Sequence, residues 1–297
     1  MTPSCPNWLR VVLLCLAIAV FLPQLRRIWT HKTSTGFSLL YILFNLISAT
    51  ERFSLAFFLT VNAGTEPDFF VHSPRSTGDW LNLVQLGVDW VLFLLLFILS
   101  LAYPAAHRSI PPRIIAAAFY AAFTLISIIP LFTDALFPSL FHDPDERSPG
   151  FGVGLFAGAH FFFINPLVTV LGICSIIPQA IQIRSLLSSP SPGLGVVSIR
   201  DFALQGVVFA LLAGSWVFRV RIGSGADVKL PFRSVYWYVR VAWAAGGTGA
   251  FAIVQGVLAI LGRIGRKLDC EGLGSGETEP LLGEQRGDDI HGVDGHG

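Results

Sequence analysis

The sequence predicts an all-α integral membrane protein with seven transmembrane helices, arranged as two parallel three-helix repeats joined by a linker helix (3+1+3). Three observations carry that reading. Of the 297 residues, 53% are hydrophobic and only 13% are charged, against about 25% charged in soluble domains; mean hydropathy is +0.65. Runs free of Asp, Glu, Lys and Arg recur seven times, each able to hold one crossing. A Pro-Gln dipeptide recurs in the first and the fifth of them, with three helices starting at each copy. Such a composition excludes an ordinary cytosolic enzyme, a disordered protein and a nucleic-acid binder. Twenty Lys/Arg against nineteen Asp/Glu leave a net charge of +1, so no bulk field points to a polyanionic partner.

A crossing needs roughly 20 mainly apolar residues, and the runs are 11–25, 33–50, 90–107, 114–133, 148–183, 202–218 and 241–262. The first follows Arg10 and precedes Arg26, Arg27 and Lys32. A secretory signal carries its positive charge ahead of a cleavable core, so this run is read as a retained span. The fifth run contains Asn165-Pro166 and Pro178-Gln179 and is too short for two helices and a turn. The units are then a first repeat at 8–105, a linker helix with its flanking loops at 106–147, a second repeat at 148–263 and a tail at 264–297. From about Leu268 the chain turns to Gly, Glu and Asp, a composition expected to be disordered. Basic residues concentrate after the first, third and fifth helices and after the seventh (Arg26, Arg27, Lys32, Arg108, Arg113, Arg184, Arg263, Arg266 and Lys267). This excess favours a cytosolic C-terminus, although Arg219, Arg221, Lys229 and Arg233 between helices six and seven argue the other way.

Phe21-Leu22-Pro23-Gln24 is read as closing the first helix, and Ile176-Ile177-Pro178-Gln179 the fifth, 155 residues later. Lys32-Thr33-Ser34-Thr35-Gly36-Phe37-Ser38 follows the first copy, and Ser189-Pro190-Ser191-Pro192-Gly193-Leu194-Gly195 the second. Both are turn-rich entries into the next helix. The pattern resembles the PQ-loop repeat family, which includes cystinosin and other lysosomal or vacuolar amino-acid exporters, over about residues 8–262. The second copy lacks the basic residue and the second serine. Proline removes a helix hydrogen bond and clashes with the carbonyl four residues back, here Ala19 and Cys174. Weakened helices at matching points of two halves mark a transport site. The resemblance implies that Pro23, Gln24, Pro178 and Gln179 act as hinges for alternating access.

Charges inside a bilayer are costly and usually face a cavity or a partner. Asp89 on helix three is the deepest by position; it is either a functional charge or a structural hydrogen-bonding group. Glu51-Arg52 and Arg200-Asp201 lie toward helix ends, where they are either interfacial or functional, so Glu51 and Asp201 join the substrate- or proton-binding candidates. In cystinosin-like proteins a carboxylate seven residues after the serine of the second Gly-x-Ser is implicated in proton coupling. That offset lands on Asn45 in the first copy. In the second it lands on Phe202, next to Asp201, or on Gln205 if Ser198 aligns with Ser38. Neither alignment supplies the acid, so Asn45 and Gln205 are candidates to hydrogen-bond a neutral or zwitterionic solute instead. His160 and Asn165 are five residues apart and are not expected to share a helix face. Gly154-x-x-x-Gly158 and Ala244–Ala250 read as packing surfaces, with a homo-oligomer open. Trp8, Trp29, Trp80, Trp237 and Trp243 fall near helix ends, as interface anchors do.

In the tail, Glu277-Thr278-Glu279-Pro280-Leu281-Leu282 resembles an acidic dileucine signal read by adaptor complexes, with Glu277, Leu281 and Leu282 as its recognition residues. That points to a vacuolar or lysosomal membrane. The four cysteines (Cys5, Cys15, Cys174 and Cys270) have no metal-ligand or paired spacing. No catalytic motif or phosphate loop occurs, so no metal, no cofactor and no enzymatic activity are expected. The function implied by the resemblance is secondary transport of a small organic, amino-acid-like solute, with protons as a possible partner. A non-transporting sorting receptor or scaffold on the same fold is the alternative.

Overall fold

A computed structural model describes residues 5–62, 70–72, 74–104, 110–137, 151–187, 198–219 and 243–274. All regular elements among them are helical, and seven helices are long and apolar enough to cross a membrane. They are α1 (Asn7–His31), α2 (Leu39–Asn62), α3 (Thr77–Ala102), α4 (Ile110–Leu136), α5 (Gly154–Leu187), α6 (Ile199–Arg219) and α7 (Trp243–Lys267). The helix of α7 continues to Gly274, so the first residues of the expected tail are helical. Leu268, Asp269, Cys270 and Glu271 prolong the helix before glycines at 272 and 274 weaken it. The dileucine residues Glu277, Leu281 and Leu282 lie outside the described residues, as do Trp237 and the loop 189–195.

Counting charge-free runs places α3 thirteen residues too late. Its first turn holds Asp79 in a capping box: Ser76 Oγ accepts from the Asp79 N–H, and the Asp79 carboxylate accepts from the Ser76 N–H (2.7 Å). A carboxylate at the positive end of a helix is stabilising, so a charge opens this span instead of ending it. The Pro-Gln dipeptides do not close helices either. Pro23 sits inside α1, which runs on to His31. In α5 the helix breaks at Ser175, next to Cys174 whose carbonyl Pro178 would crowd, and resumes over Ile176–Leu187.

Packing repeats between the first three spans and the last three. α3 lies against both α1 and α2, and α7 lies against both α5 and α6. Across the halves α1 packs on α6 and α2 on α5, while α4 docks on α2. That docking is polar in part: the Tyr120 hydroxyl accepts from Trp90 Nε1 (3.0 Å) and pairs with Thr50 Oγ1 (3.3 Å). α2 is the most enclosed span, buried along almost its whole length, whereas α1, α4 and α5 present wide apolar faces outward, as lipid-facing helices do.

One small-residue assignment changes, whereas Ala244–Ala250 does pack, with a Cβ on Gly249 3.7 Å from Ala213 Cβ. Gly154 and Gly158 have no atom within 4 Å of a Cβ built there, so that pair packs against nothing described. Close helix approach occurs instead between α6 and α7, where a Cβ on Gly206 would sit 3.2 Å from the Gly256 nitrogen and 3.4 Å from the Ala252 carbonyl oxygen. Both atoms are backbone and yield only if the helices separate. Gly206→Ala is expected to lower stability by about 1–3 kcal/mol through overpacking, while Gly214→Ala, with open space around it, stays within about 0.5 kcal/mol. Unfolding midpoints of the two purified variants check this. Trp8, Trp29 and Trp80 are exposed, as interface anchors should be, but Trp243 is fully buried. Its ring packs on Phe70 (5.1 Å between centroids) and Phe161.

Candidate functional site

The site begins with a stripe on α3. Asp79, Asn82, Gln85 and Asp89 recur every three or four residues, so they share one helix face, and all four are buried. Asn82 collects two arginines. Its Oδ1 accepts from Arg10 of α1 and from Arg219 of α6, each at 3.3 Å. Arg10 also donates to the carbonyls of Gly78 (2.6 Å) and Cys5 (3.3 Å), and Arg219 to Gln85 Oε1 (2.7 Å). Both arginines, which the sequence places beside helix ends as topological markers, are interior side chains.

Deeper in the bundle Asp89 lies within electrostatic reach of Arg52 on α2 and of Arg219. Neither arginine reaches it: among the described residues both Asp89 oxygens are buried without a hydrogen-bond donor, as Arg52 Nε and Nη1 and Arg219 Nε and Nη2 are without an acceptor. Room for the Arg52 side chain comes from Gly247 of α7, where a Cβ would stand 2.9 Å from Arg52 Nη1 and 3.0 Å from its Cδ. Arg219 lies over the Trp216 ring, 4.6 Å from its centroid. Four spans (α2, α3, α6 and α7) therefore converge on two guanidiniums and a carboxylate.

One residue from Arg52, Glu51 turns to the other side of α2. It is fully buried, not interfacial, and its carboxylate oxygens lie 2.9 and 3.0 Å from His160 Nδ1 on α5. An Nδ1–H shared by both oxygens fits that geometry. The His160 ring also stacks on Phe156 at 3.9 Å. His160 opens a π turn over His160–Ile164, closed by the Asn165 N–H donating to the His160 carbonyl. This wider turn brings residues five apart onto one side, so His160 and Asn165 are both buried, against the expectation from a regular α-helix.

Toward the other end of α3, one turn past Asp89, an aromatic layer crosses the bundle. Phe21, Phe93, Phe209 and Phe251, from α1, α3, α6 and α7, meet with ring centroids 4.7–6.4 Å apart. Beyond it lie the remaining sequence candidates, whose partners are protein groups. Asn45 Nδ2 donates to Ser175 Oγ (3.0 Å) and to the Tyr41 carbonyl (2.8 Å). Gln205 Nε2 donates to the Val20 carbonyl (3.2 Å). Ser175 and Val20 each stand three residues before a Pro-Gln proline, Pro178 and Pro23. Each amide thus braces the weakened turn of a helix in the opposite half, beside the carbonyl that proline deprives of its helical donor. That matched geometry favours the pairing of Gln205 with Asn45 over the one that lands on Phe202.

Gln179 clasps the entry to α2. Its Nε2 donates to the Gly36 carbonyl (2.7 Å), and its Oε1 accepts from the Ser38 N–H (2.9 Å). Gly36 has φ 103°, a conformation open to glycine alone at little cost, which turns that carbonyl toward Gln179. Gln24 is buried at the corresponding point of α1. Asp201 forms an ion pair with Arg27 of α1 (2.6 and 3.4 Å) at the α6 entry, which makes it an inter-helix brace near one membrane face. Sequence reasoning weighed Arg52 with Glu51 as interfacial or functional but missed Arg10, Arg219, Asn82 and Gln85; the i, i+3, i+4 polar spacing on α3 was the signal available for the last two.

Among the described residues no group of His, Cys, Asp and Glu could hold a metal ion. Comparison with curated proteins and with solved structures gives no match. Residues 7–63, which span α1 and α2, match the family model of the PQ loop repeat, so that this part of the chain carries the repeat its Pro23-Gln24 motif resembles.

Proposed function

We propose that this multi-pass membrane protein is a secondary transporter that moves a small organic solute, amino-acid-like by family resemblance, across a vacuolar or lysosomal membrane by alternating access. The observation that carries the reading is the buried charged centre at Arg52, Asp89 and Arg219, with the aromatic layer behind it and the Gln179 clasp beyond. Buried charge with unfilled hydrogen bonds is costly in a bilayer and is retained where a pathway needs it. An apolar layer followed by a hydrogen-bonded clasp resembles a pathway closed at one end. The matched bracing of Pro23 and Pro178 by Gln205 and Asn45 supports two three-helix units rocking about those turns. The Glu277, Leu281, Leu282 motif is proposed as the sorting signal, on a cytosolic tail.

The test is solute flux. Proteoliposomes carrying the full chain are expected to accumulate at least one member of a broad panel of amino acids and organic acids above empty vesicles. Pro178→Leu protein that remains folded should transport at about a tenth of that rate, the effect of roughly 1.4 kcal/mol on the conformational step. Flux equal to empty vesicles for every solute would leave the sorting receptor as the better reading.

A further inference from the structure

We propose that Arg52, Arg219 and Asp89 form the binding site for a small organic solute bearing an oxyanion, a carboxylate or a phosphate group. The inference rests on the transport reading for its physiological use, but it concerns binding and stands on the imbalance of donors and acceptors. Among the described residues, five donor nitrogens here lack a hydrogen-bond partner (Arg52 Nε and Nη1, Arg219 Nε and Nη2, and Gln85 Nε2), against two acceptors, the oxygens of Asp89. The indole N–H groups of Trp216, under Arg219, and of Trp243, one turn from Gly247, add two more unpartnered donors.

These groups do not satisfy one another, although two charges of each guanidinium–carboxylate pairing are close enough to interact. Among the described residues Asp79 and Glu51, the other acids of α3 and α2, are engaged by Ser76 with His72 and by His160. Arg10 is engaged by two backbone carbonyls and Asn82. The Cys5 thiol also lies beside Arg219, but sulfur is a weak acceptor. Among the described residues the centre lacks oxygen acceptors, and an oxyanion supplies them; a planar guanidinium offers it two parallel N–H bonds. Asp89 limits how much negative charge is welcome and accepts from any ammonium or hydroxyl on the same solute.

Binding to the full-length protein in nanodiscs tests this by equilibrium dialysis, with succinate, inorganic phosphate, neutral succinamide and 1,4-diaminobutane as probes. Succinate or phosphate is expected to bind, and the amide and the diamine are not. Arg52→Gln or Arg219→Gln should weaken succinate or phosphate binding at least about thirtyfold, as loss of a buried charged contact does. Asp89→Asn, which removes charge without changing shape, should tighten it. This variant decides the matter if the arginine variants do not fold. Equal binding of succinate and succinamide, wild-type affinity in folded Arg52→Gln protein, weaker succinate and phosphate binding in Asp89→Asn, or no binding of either anion would overturn the proposal. Anion binding without flux would remove the transport reading and keep the site; flux of neutral or cationic solutes without anion binding would do the reverse.

Discussion

His160→Ala is expected to cost about 2–5 kcal/mol of stability, through the loss of a large buried ring and of the hydrogen-bond partner of a buried acid. Glu51 is wholly enclosed, and His160 Nδ1 is its hydrogen-bond donor. The imidazole cannot be replaced by water entering from lipid, and the alanine also removes the ring stacked on Phe156. Midpoints of denaturant unfolding in a fixed detergent measure the loss. A Glu51→Gln/His160→Ala double variant should recover part of it, because an amide is cheaper to bury unpaired than a carboxylate. A coupling of about 0.5–3 kcal/mol between the two changes is then expected. If His160→Ala unfolds within about 1 kcal/mol of wild type, the pair does not hold α2 and α5 together.

The difference between Glu51 and Asn45 shows what was legible in the sequence. Span number follows from hydropathy and the proline positions from a dipeptide, both local properties. The partners of Asn45, Ser175 and Tyr41, depend on which turn of α5 faces α2, and that register is set by packing. Charge position misled in both directions. Arg10 and Arg219 look like loop markers because they flank apolar runs, yet Asn82 draws both inside. Asp201 looks like a functional acid in a membrane, yet Arg27, distant in sequence, neutralises it. Hydropathy treats every charge as a reason to end a helix, whereas a capping carboxylate such as Asp79 begins one. The π turn at His160 was not readable at all, since periodicity assumes one pitch along the whole span.

The clasp offers the sharpest test of movement. Gln179→Leu removes both hydrogen bonds to the Gly36–Ser38 turn and leaves a carbonyl and an N–H unpaired in a buried setting. Each stranded group costs about 1–3 kcal/mol. If the clasp holds one end of the pathway shut, that energy is lost only in the closed state. A loss of about 2 kcal/mol then shifts the open-to-closed ratio by roughly thirtyfold. Ser34 reports on this end, since it is fully buried in the turn and its N–H donates to the Tyr103 carbonyl (2.8 Å). In a chain whose four native cysteines are replaced by serine, Ser34→Cys should react slowly with a membrane-impermeant maleimide. Adding Gln179→Leu should raise the labelling rate about tenfold or more, while Leu39→Ala, a packing change at the neighbouring buried position, serves as the control for simple loosening. Equal rates with and without Gln179 would mean that the clasp fastens a static loop. A rate rise matched by the Leu39→Ala control would mean that the turn merely loosens. Only a rise specific to Gln179 ties the second Pro-Gln motif to opening at the first, which is the linkage that alternating access requires of two halves moving together.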